Sequence, residues 1–176
     1  MKQVVVVGTG IMAVGIAAGF LATSHQVILL GRTQSRAKEQ EVEILALTKT
    51  MNPDWEASGA KLVTGEIASW ADWSEVIWVI ETIKEDMQLK QELFASLDQR
   101  VPEHIPIGSN SSGFPISKIS AGLKTAHRMF NAHYFMPAHI VPLVEVVLGE
   151  KSDPVMGEQV CQLYRQAKKK PVLVRK

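Results

Sequence analysis

The chain has 176 residues, of which 46% are hydrophobic, and this length and composition fit one globular domain of ordinary size. It contains 19 Lys and Arg against 18 Asp and Glu, so it lacks the basic excess with which proteins bind nucleic acids or anionic membranes. The single cysteine, Cys161, excludes an internal disulfide and a cysteine-based metal site, and no metal site is predicted. A reducing, cytoplasmic compartment fits this cysteine content best.

The first segment is unusually apolar. Residues 4–22 hold one polar side chain, Thr9, a pattern that also occurs in signal peptides and short membrane anchors. Glycines interrupt this segment, among them Gly8, Gly10 and Gly15. Residues 4–7 are all valines, which favour a strand. We therefore favour a buried strand followed by a helix over a signal or an anchor.

Apolar periodicity and turn residues predict the following elements in chain order. Strands are predicted over residues 3–7, 26–30, 61–63, 76–80, 105–109, 128–135, 141–148 and 171–174, and helices over residues 11–22, 34–51, 84–97 and 154–168. Strands that alternate with helices indicate an α/β fold with a mostly parallel, doubly wound sheet. No repeat or linker divides the chain, so residues 1–176 are predicted to form a single domain.

A glycine-rich loop joins the first strand to the first helix. It reads Gly8-Thr9-Gly10-Ile11-Met12-Ala13. The first glycine suits a tight turn, the second allows close approach of a pyrophosphate, and the helix N-terminus binds the anion. The alternative is a tight turn without a ligand. Within its βαβ context, the loop predicts a Rossmann-type dinucleotide-binding domain in which residues 8–12 contact the cofactor.

The end of the second strand bears on the choice of cofactor. An NAD-binding fold usually offers a carboxylate to the adenosine ribose here, but this chain reads Leu30-Gly31-Arg32-Thr33. Arg32 can pair with the 2′-phosphate of NADP, with help from Thr33, Ser35 or Arg36. In the alternative interpretation, Thr33 or Ser35 caps the next helix and Arg32 is solvated. NADP is therefore the favoured cofactor, and NAD is the alternative.

Further segments extend the pattern beyond the loop. They are Glu81-Thr82-Ile83-Lys84-Glu85-Asp86, Ser109-Asn110-Ser111-Ser112, and His133-Tyr134-Phe135-Met136-Pro137 followed by Val144-Glu145-Val146. Together with the glycine loop, they resemble the 3-hydroxyacyl-CoA dehydrogenase family over nearly the whole chain, as far as Gly149. The resemblance implies an oxidoreductase of fatty acid metabolism, whose N-terminal domain binds the cofactor. In that family a mainly helical C-terminal domain completes the substrate site and forms the dimer.

The resemblance also implies roles for single residues. His133 would be the catalytic base, Glu145 would orient it, and Ser112 would bond the substrate oxygen. These residue types suit alcohol oxidation, since histidine accepts protons near neutral pH and a carboxylate fixes its tautomer. The other four histidines, His25, His104, His127 and His139, are predicted to be surface or loop residues.

Three more residues are placed near the cofactor by the resemblance, namely Glu85, Lys90 and Asn110. For Glu85 and Lys90, a solvated, charged helix face is the alternative.

The chain departs from the family pattern at Ala13, Gly31 and Met136, where Gly, Asp and Asn are usual. The missing carboxylate at position 31 agrees with NADP, and Met136 removes a polar group that would help to hold nicotinamide or substrate. The helical domain does not appear before Lys176, and without it the cleft would stand open to water, so turnover by this chain alone is not expected.

Two functions follow as hypotheses. In the first, the chain is an oxidoreductase domain that transfers a hydride between NAD(P) and a 3-hydroxy substrate, either a 3-hydroxyacyl-CoA or a small polar 3-hydroxy acid. In the second, it is a truncated, non-catalytic dinucleotide-binding or interaction module. The expected partner is a small-molecule substrate, with no nucleic acid or membrane partner, and a homodimer is left open.

Overall fold

One eight-stranded sheet organises residues 1–175, the part of the chain that the computed structural model describes. The strands are β1 (Gln3–Val7), β2 (Gln26–Gly31), β3 (Leu62–Glu66), β4 (Val76–Glu81), β5 (Ile107–Ser109), β6 (Met129–Tyr134), β7 (Leu143–Leu148) and β8 (Lys170–Arg175). Their order is β3-β2-β1-β4-β5-β6-β7-β8, and all neighbours are parallel except β6 and β7. The predicted mostly parallel, Rossmann-type α/β fold is confirmed.

Six α-helices connect these strands among the described residues. They are α1 (Ile11–Ala22), α2 (Gln34–Glu39), α3 (Glu41–Met51), α4 (Met87–Arg100), α5 (Ile116–Ile119) and α6 (Pro154–Gln166), with 3-10 turns at Trp55–Ser58 and Ala126–Arg128. Helices on both faces bury the sheet, because alternate side chains of one strand point to opposite sides. Val4 and Val6 pack on α1, whereas Val5 and Val7 belong to the core that includes Phe94 of α4.

Two helix predictions were wrong in their bounds. The helix predicted over residues 34–51 is interrupted at Gln40, whose N–H bonds to the Ala37 carbonyl three residues back and so ends α2. The helix predicted from residue 84 begins only at Met87, because the Asp86 side chain accepts a hydrogen bond from the Leu89 N–H and caps it. Lys84 and Glu85 therefore lie in the loop between β4 and α4.

The apolar segment at the N-terminus forms β1 and the buried face of α1. Within residues 1–175, every helix is too short or too polar to cross a membrane. His25 was predicted to be a surface or loop residue; it lies in the loop before β2 but is buried, with its ring packed edge-on against Phe20.

The strand order places the carboxyl ends of β1, β4, β5 and β6 side by side at one edge of the sheet. From β1 the chain proceeds outward to β2 and β3, and it then returns to β4 on the other side of β1. This reversal opens a crevice between the loops that follow β1 and β4, which is where ligands bind in open α/β sheets.

Candidate cofactor site and catalytic pair

The glycine loop is held against the end of β4. Gly8 has a φ of +127°, and a Cβ there would lie 2.3 Å from the Thr82 Oγ1 atom. That hydroxyl donates to the Val7 carbonyl at 2.9 Å, so the loop and β4 are bonded together at this point. By contrast, a Cβ on Gly10 would meet no atom within 4 Å. Position 8 therefore requires glycine for the turn, and position 10 borders open space.

The N-terminus of α1 is suited to an anion. Its cap residue, Gly10, provides no side-chain hydrogen bond, and the first turn contains no acidic residue. The first intrahelical bond runs from the Val14 N–H to the Gly10 carbonyl, which leaves the preceding N–H groups without a partner inside the helix. These groups and the positive end of the helix dipole fit a pyrophosphate without a basic side chain.

Neighbouring residues crowd the space in which a side chain at position 31 would lie. A Cβ on Gly31 would lie 3.0 Å from both the Thr33 carbonyl oxygen and the Thr9 methyl group. Thr33 caps α2, since its Oγ1 accepts a hydrogen bond from the Arg36 N–H at 3.1 Å. Arg32 is exposed between these two residues. The capping role considered for Thr33 is thus present, and the Arg32 guanidinium is accessible to a ligand.

His133 and Glu145 are in contact, as predicted. They are direct neighbours in the antiparallel pairing of β6 with β7, and the His133 Nδ1 atom lies 3.3 Å from Glu145 Oε1. Both side chains are partly exposed. A carboxylate on Nδ1 leaves Nε2 free to exchange a proton with a ligand. The arrangement matches a base and its orienting partner, and the roles of the two residues remain predictions.

A crevice of about 370 Å³ has both His133 and Met12 of the glycine loop in its lining. It is lined by Met12, Thr82, Ile83, Glu85, Lys90, Asn110, Ser111, Ser112, His133, Tyr134, Phe135 and Met136. Six of the predicted site residues are therefore brought together, namely Met12, Glu85, Lys90, Asn110, Ser112 and His133.

Other predicted residues lie around this crevice. Glu145 lines a smaller adjoining pocket of about 140 Å³, which also includes Ser112 and His133. Arg32 and Thr33 lie outside the crevice lining, where β2 ends. Within residues 1–175, no group of three His, Cys, Asp or Glu side chains is arranged to hold a metal ion.

Asn110, which was predicted to lie near the cofactor, connects two segments of the crevice wall. Its Oδ1 atom accepts a hydrogen bond from the Tyr134 N–H at 2.9 Å, which ties the end of β5 to the residue beside His133. Ser112 is exposed, with its hydroxyl on the wall shared by the two pockets. Met136 is 60% exposed and gives the crevice an apolar rim where the family usually has an amide.

The alternative of a solvated helix face was wrong for Lys90. Its side chain is only 2% exposed, and its Nζ atom lies 2.6 Å from Glu81 Oε2 and 3.4 Å from Glu85 Oε1. It also donates to the Ile83 carbonyl at 3.1 Å. The buried ammonium is therefore surrounded by oxygen acceptors at the end of β4.

Glu81 is a residue that sequence reasoning missed. Its carboxylate is fully buried and accepts hydrogen bonds from Lys90 Nζ, from Ser109 Oγ at 2.6 Å and from the Ile83 N–H at 2.8 Å. Burial raises the pKa of Glu81, and the positive charge of Lys90 and these hydrogen bonds act in the opposite direction. The one signal in the sequence was an acidic residue directly after an apolar strand.

Ser111 was also missed, and it holds Glu85. Its hydroxyl lies 2.8 and 2.9 Å from the two Glu85 carboxylate oxygens, and it accepts a hydrogen bond from the Phe114 N–H. Partial burial acts to raise the pKa of Glu85, but the Ser111 hydrogen bond and the Lys90 charge outweigh it, so the pKa is lowered. Glu85 therefore presents a fixed, ionised carboxylate to the crevice.

Comparison with protein families agrees with this geometry. Residues 3–176 match the family described as 3-hydroxyacyl-CoA dehydrogenase, NAD binding domain. The chain belongs to this family. The resemblance inferred from the motifs is thus confirmed, and so is the assignment of the chain as a nicotinamide dinucleotide-binding domain. The family description specifies NAD, and the preference for NADP predicted from residues 31–33 finds no support in the comparisons.

Several relatives of this 3-hydroxyacyl-CoA dehydrogenase domain are longer proteins. A peroxisomal fatty acid beta-oxidation multifunctional protein of Arabidopsis thaliana is 30% identical over 99% of the chain, which spans 25% of that protein. A 3-hydroxybutyryl-CoA dehydrogenase of Clostridioides difficile is 29% identical over 97% of the chain, which spans 62% of it. The crystal structure of (S)-3-hydroxybutyryl-CoA dehydrogenase from Ralstonia eutropha superposes with a TM-score of 0.88 at 25% identity, covering 99% of this chain and 64% of that one.

Proposed function

We propose that this chain is the cofactor-binding part of an enzyme that oxidises a 3-hydroxyacyl-CoA, or reduces the corresponding 3-ketoacyl-CoA, with a nicotinamide dinucleotide. The observation that carries the proposal is the contact of Glu145 with His133, which lines the same crevice as Met12 of the glycine loop. The Clostridioides and Ralstonia relatives are enzymes of this substrate class by name. A small polar 3-hydroxy acid is the alternative substrate.

The residues present fit the cofactor. Gly8, Thr9, Gly10, Ile11 and Met12 would hold the pyrophosphate, because the loop leaves open space beside Gly10 and helical N–H groups point toward it. The adenosine end would lie near Arg32 and Thr33. The other end would lie in the crevice near Glu85, Lys90 and Asn110. When bound, the nicotinamide ring accepts a hydride from the substrate carbon or returns one to it.

The chain's own side chains would move the proton. In the oxidative direction, His133 takes the proton of the substrate hydroxyl on Nε2 while Glu145 holds Nδ1 and stabilises the imidazolium. In the reductive direction, the same imidazolium returns the proton to the new alkoxide. Ser112 donates a hydrogen bond to the substrate oxygen, since its hydroxyl lies on the wall that His133 also forms.

The test is reduction of acetoacetyl-CoA by the full-length gene product, followed by the loss of NADH absorbance. We expect turnover in the wild type and a loss of at least about a hundredfold in His133→Gln, the usual contribution of a general acid or base. NADH affinity should stay within a few-fold in that variant, because the imidazole acts on the substrate. Retained turnover would overturn the base assignment. NADH binding without any turnover in the wild type would favour the non-catalytic module.

For the adenosine end, we propose that NADP(H) binds at least as tightly as NAD(H). Two observations support this proposal: a side chain at position 31 would be crowded by its neighbours, and Arg32 is exposed beside it. Arg32→Ala should then weaken NADPH binding about tenfold and NADH binding little, since only the 2′-phosphate loses an ionic hydrogen bond. Lys38→Ala, an exposed change in α2, the helix that follows Arg32, is the matched control. Equal weakening of both nucleotides by Arg32→Ala would contradict the proposal.

A cytoplasmic location and a homodimer remain proposals as well. The location is supported by the single cysteine, although the Arabidopsis relative is peroxisomal by name. Fractionation of the source cell and light scattering of the purified full-length protein would test the two statements.

A further inference from the structure

Glu81 lies behind the crevice, at the carboxyl end of β4. Lys90 and Glu85 line the crevice, and Glu81 contacts Lys90 without belonging to that lining. The contacts form a continuous chain of four residues, running from Glu81 to Lys90, from Lys90 to Glu85, and from Glu85 to Ser111. We infer that Glu81 is a positioning residue for the nicotinamide half of the cofactor site, because it fixes Lys90 and, through Lys90, the carboxylate of Glu85. The inference rests on the proposed function.

The burial of Lys90 needs a partner of opposite charge. A lysine side chain is long and flexible, and an ammonium removed from water is costly unless it is paired and hydrogen-bonded. Glu81 meets this need with the shortest of the Lys90 contacts, 2.6 Å. With Glu81 ionised and Lys90 held, the ammonium remains beside the crevice instead of extending into solvent.

A role in stability alone does not explain the ion pair of Glu81 and Lys90. The desolvation of two buried charges offsets most of their attraction, so two apolar side chains of similar size would serve stability as well. What apolar residues cannot do is hold Glu85. That carboxylate is 45% exposed on the crevice wall and is restrained by Lys90 on one side and by Ser111 on the other. A carboxylate fixed in this way is a good acceptor for ligand hydroxyl groups, such as those of a ribose.

The effect should be confined to one end of the cofactor. β4 ends at Glu81, and Glu85 and Lys90 follow it. Gly10 and Arg32 follow β1 and β2, on the other side of the reversal in strand order. A dinucleotide that crosses this reversal has its two nucleotides on different sides. Loss of the Glu81 charge should therefore weaken contacts with the nicotinamide nucleotide and leave the adenosine contacts in place.

The test compares NADH with ADP, which carries only the adenosine end, on the chain and its Glu81→Gln variant. Glutamine has the same shape but no charge. We expect NADH binding to weaken about tenfold, as for the loss of a hydrogen bond to a charged group, and ADP binding to stay unchanged. Glu81→Asp keeps the charge but is shorter by one methylene. It should show a smaller loss of NADH affinity and no change in ADP affinity.

Two further variants separate positioning from folding. Ser109→Ala removes a donor from the same carboxylate and the acceptor of the Ser111 N–H but leaves the Lys90 contact, so its loss of NADH affinity should be smaller than that of Glu81→Gln. In Glu81→Gln/Lys90→Met, the NADH affinity should equal that of Lys90→Met alone, because Glu81 acts through Lys90.

Unchanged NADH affinity in both Glu81 variants, or equal weakening of NADH and ADP, would overturn the inference. If the wild type bound neither ligand, the proposed function would fail instead, so the two failures are distinguishable.

Discussion

At the scale of single residues, His25 is a buried imidazole with a defined environment. It lies where the chain enters β2, with its ring centroid 5.5 Å from that of Phe20 and its Nδ1 atom 3.3 Å from Thr23 Oγ1. Burial lowers its pKa below the ordinary value of 6.5, against a smaller opposing effect of backbone hydrogen bonds at Thr23 and Phe20.

This lowered pKa gives stability a pH dependence. The unfolded chain binds a proton at His25 more tightly than the folded chain, so stability is complete above the unfolded pKa of 6.5 and falls as the pH decreases toward the folded pKa. Urea unfolding at several pH values should show a steeper loss below about pH 6.5 in the wild type than in His25→Met. His127→Gln, a change at a half-exposed histidine, is the control. Parallel curves for the wild type and His25→Met would contradict the assignment.

The proposed catalytic pair, His133 and Glu145, could be predicted from the sequence, whereas the buried ion pair of Lys90 and Glu81 could not. His133 and Glu145 are twelve residues apart on two apolar strands, so cross-strand contact follows from the resemblance and from ordinary strand pairing. Lys90 occurs in a charged stretch at a helix start, which is typical of a solvated face. Its burial depends on Glu81 and Ser109 at the ends of two neighbouring strands, and the sequence around Lys90 does not specify this contact.

At the scale of elements, Arg128 joins the end of α4 to the strands beside it. Its side chain is fully buried and donates to the Thr125 hydroxyl and to the backbone carbonyls of Asp98, Val101, Pro102 and Ile105. Burial lowers the pKa of the guanidinium, and the charges of Asp98 and Glu103 act to raise it. Arg128 therefore satisfies carbonyls at a helix C-terminus that would otherwise be buried without donors.

We expect Arg128→Met to lower the free energy of unfolding by about 3 kcal/mol or more, because several buried carbonyl groups lose their donor at once. Urea unfolding with Arg165→Met as the control measures this difference, since the Arg165 guanidinium makes exposed contacts, with the side chains of Glu158 and Gln162. An equal, small effect of both substitutions would show that Arg128 does not hold these elements together.

The observed ends of helices and strands show where apolar periodicity does not predict them. Residues 34–51 keep an apolar pattern typical of one helix, yet Gln40 ends α2 and precedes α3 while retaining helical backbone angles. The strand predicted from residue 128 begins at Met129, since Arg128 belongs to a 3-10 turn. In both places the backbone hydrogen bonds of one residue set the boundary of an element, and the type of that residue does not indicate it.

At the scale of the whole molecule, the first half of the fold was the easier to predict. Alternating strands and helices imply parallel neighbours and right-handed connections, and this limits the order and direction that β1 to β5 can take in the sheet. The antiparallel pairing of β6 with β7, which no helix connects, is not specified by this alternation. The crevice follows from the strand order, so Met12 of the predicted glycine loop and His133 both line it even though they are 121 positions apart in the sequence.

The central claim is that the glycine loop and the crevice together form a nicotinamide dinucleotide site, and Gly10 offers a direct test. Because a Cβ at this position meets no atom within 4 Å, Gly10→Glu should fold normally while it places a negative charge where the pyrophosphate would bind. Ala57→Glu adds the same charge on the exposed turn before β3, at the opposite edge of the sheet, and serves as the control.

The measurement is a fluorescence titration of the wild type and the two variants with NADH, with thermal unfolding of each as a check on folding. We predict saturable binding to the wild type and to Ala57→Glu, and no binding to a folded Gly10→Glu. Equal binding by Gly10→Glu, or no binding by the wild type, would contradict the account.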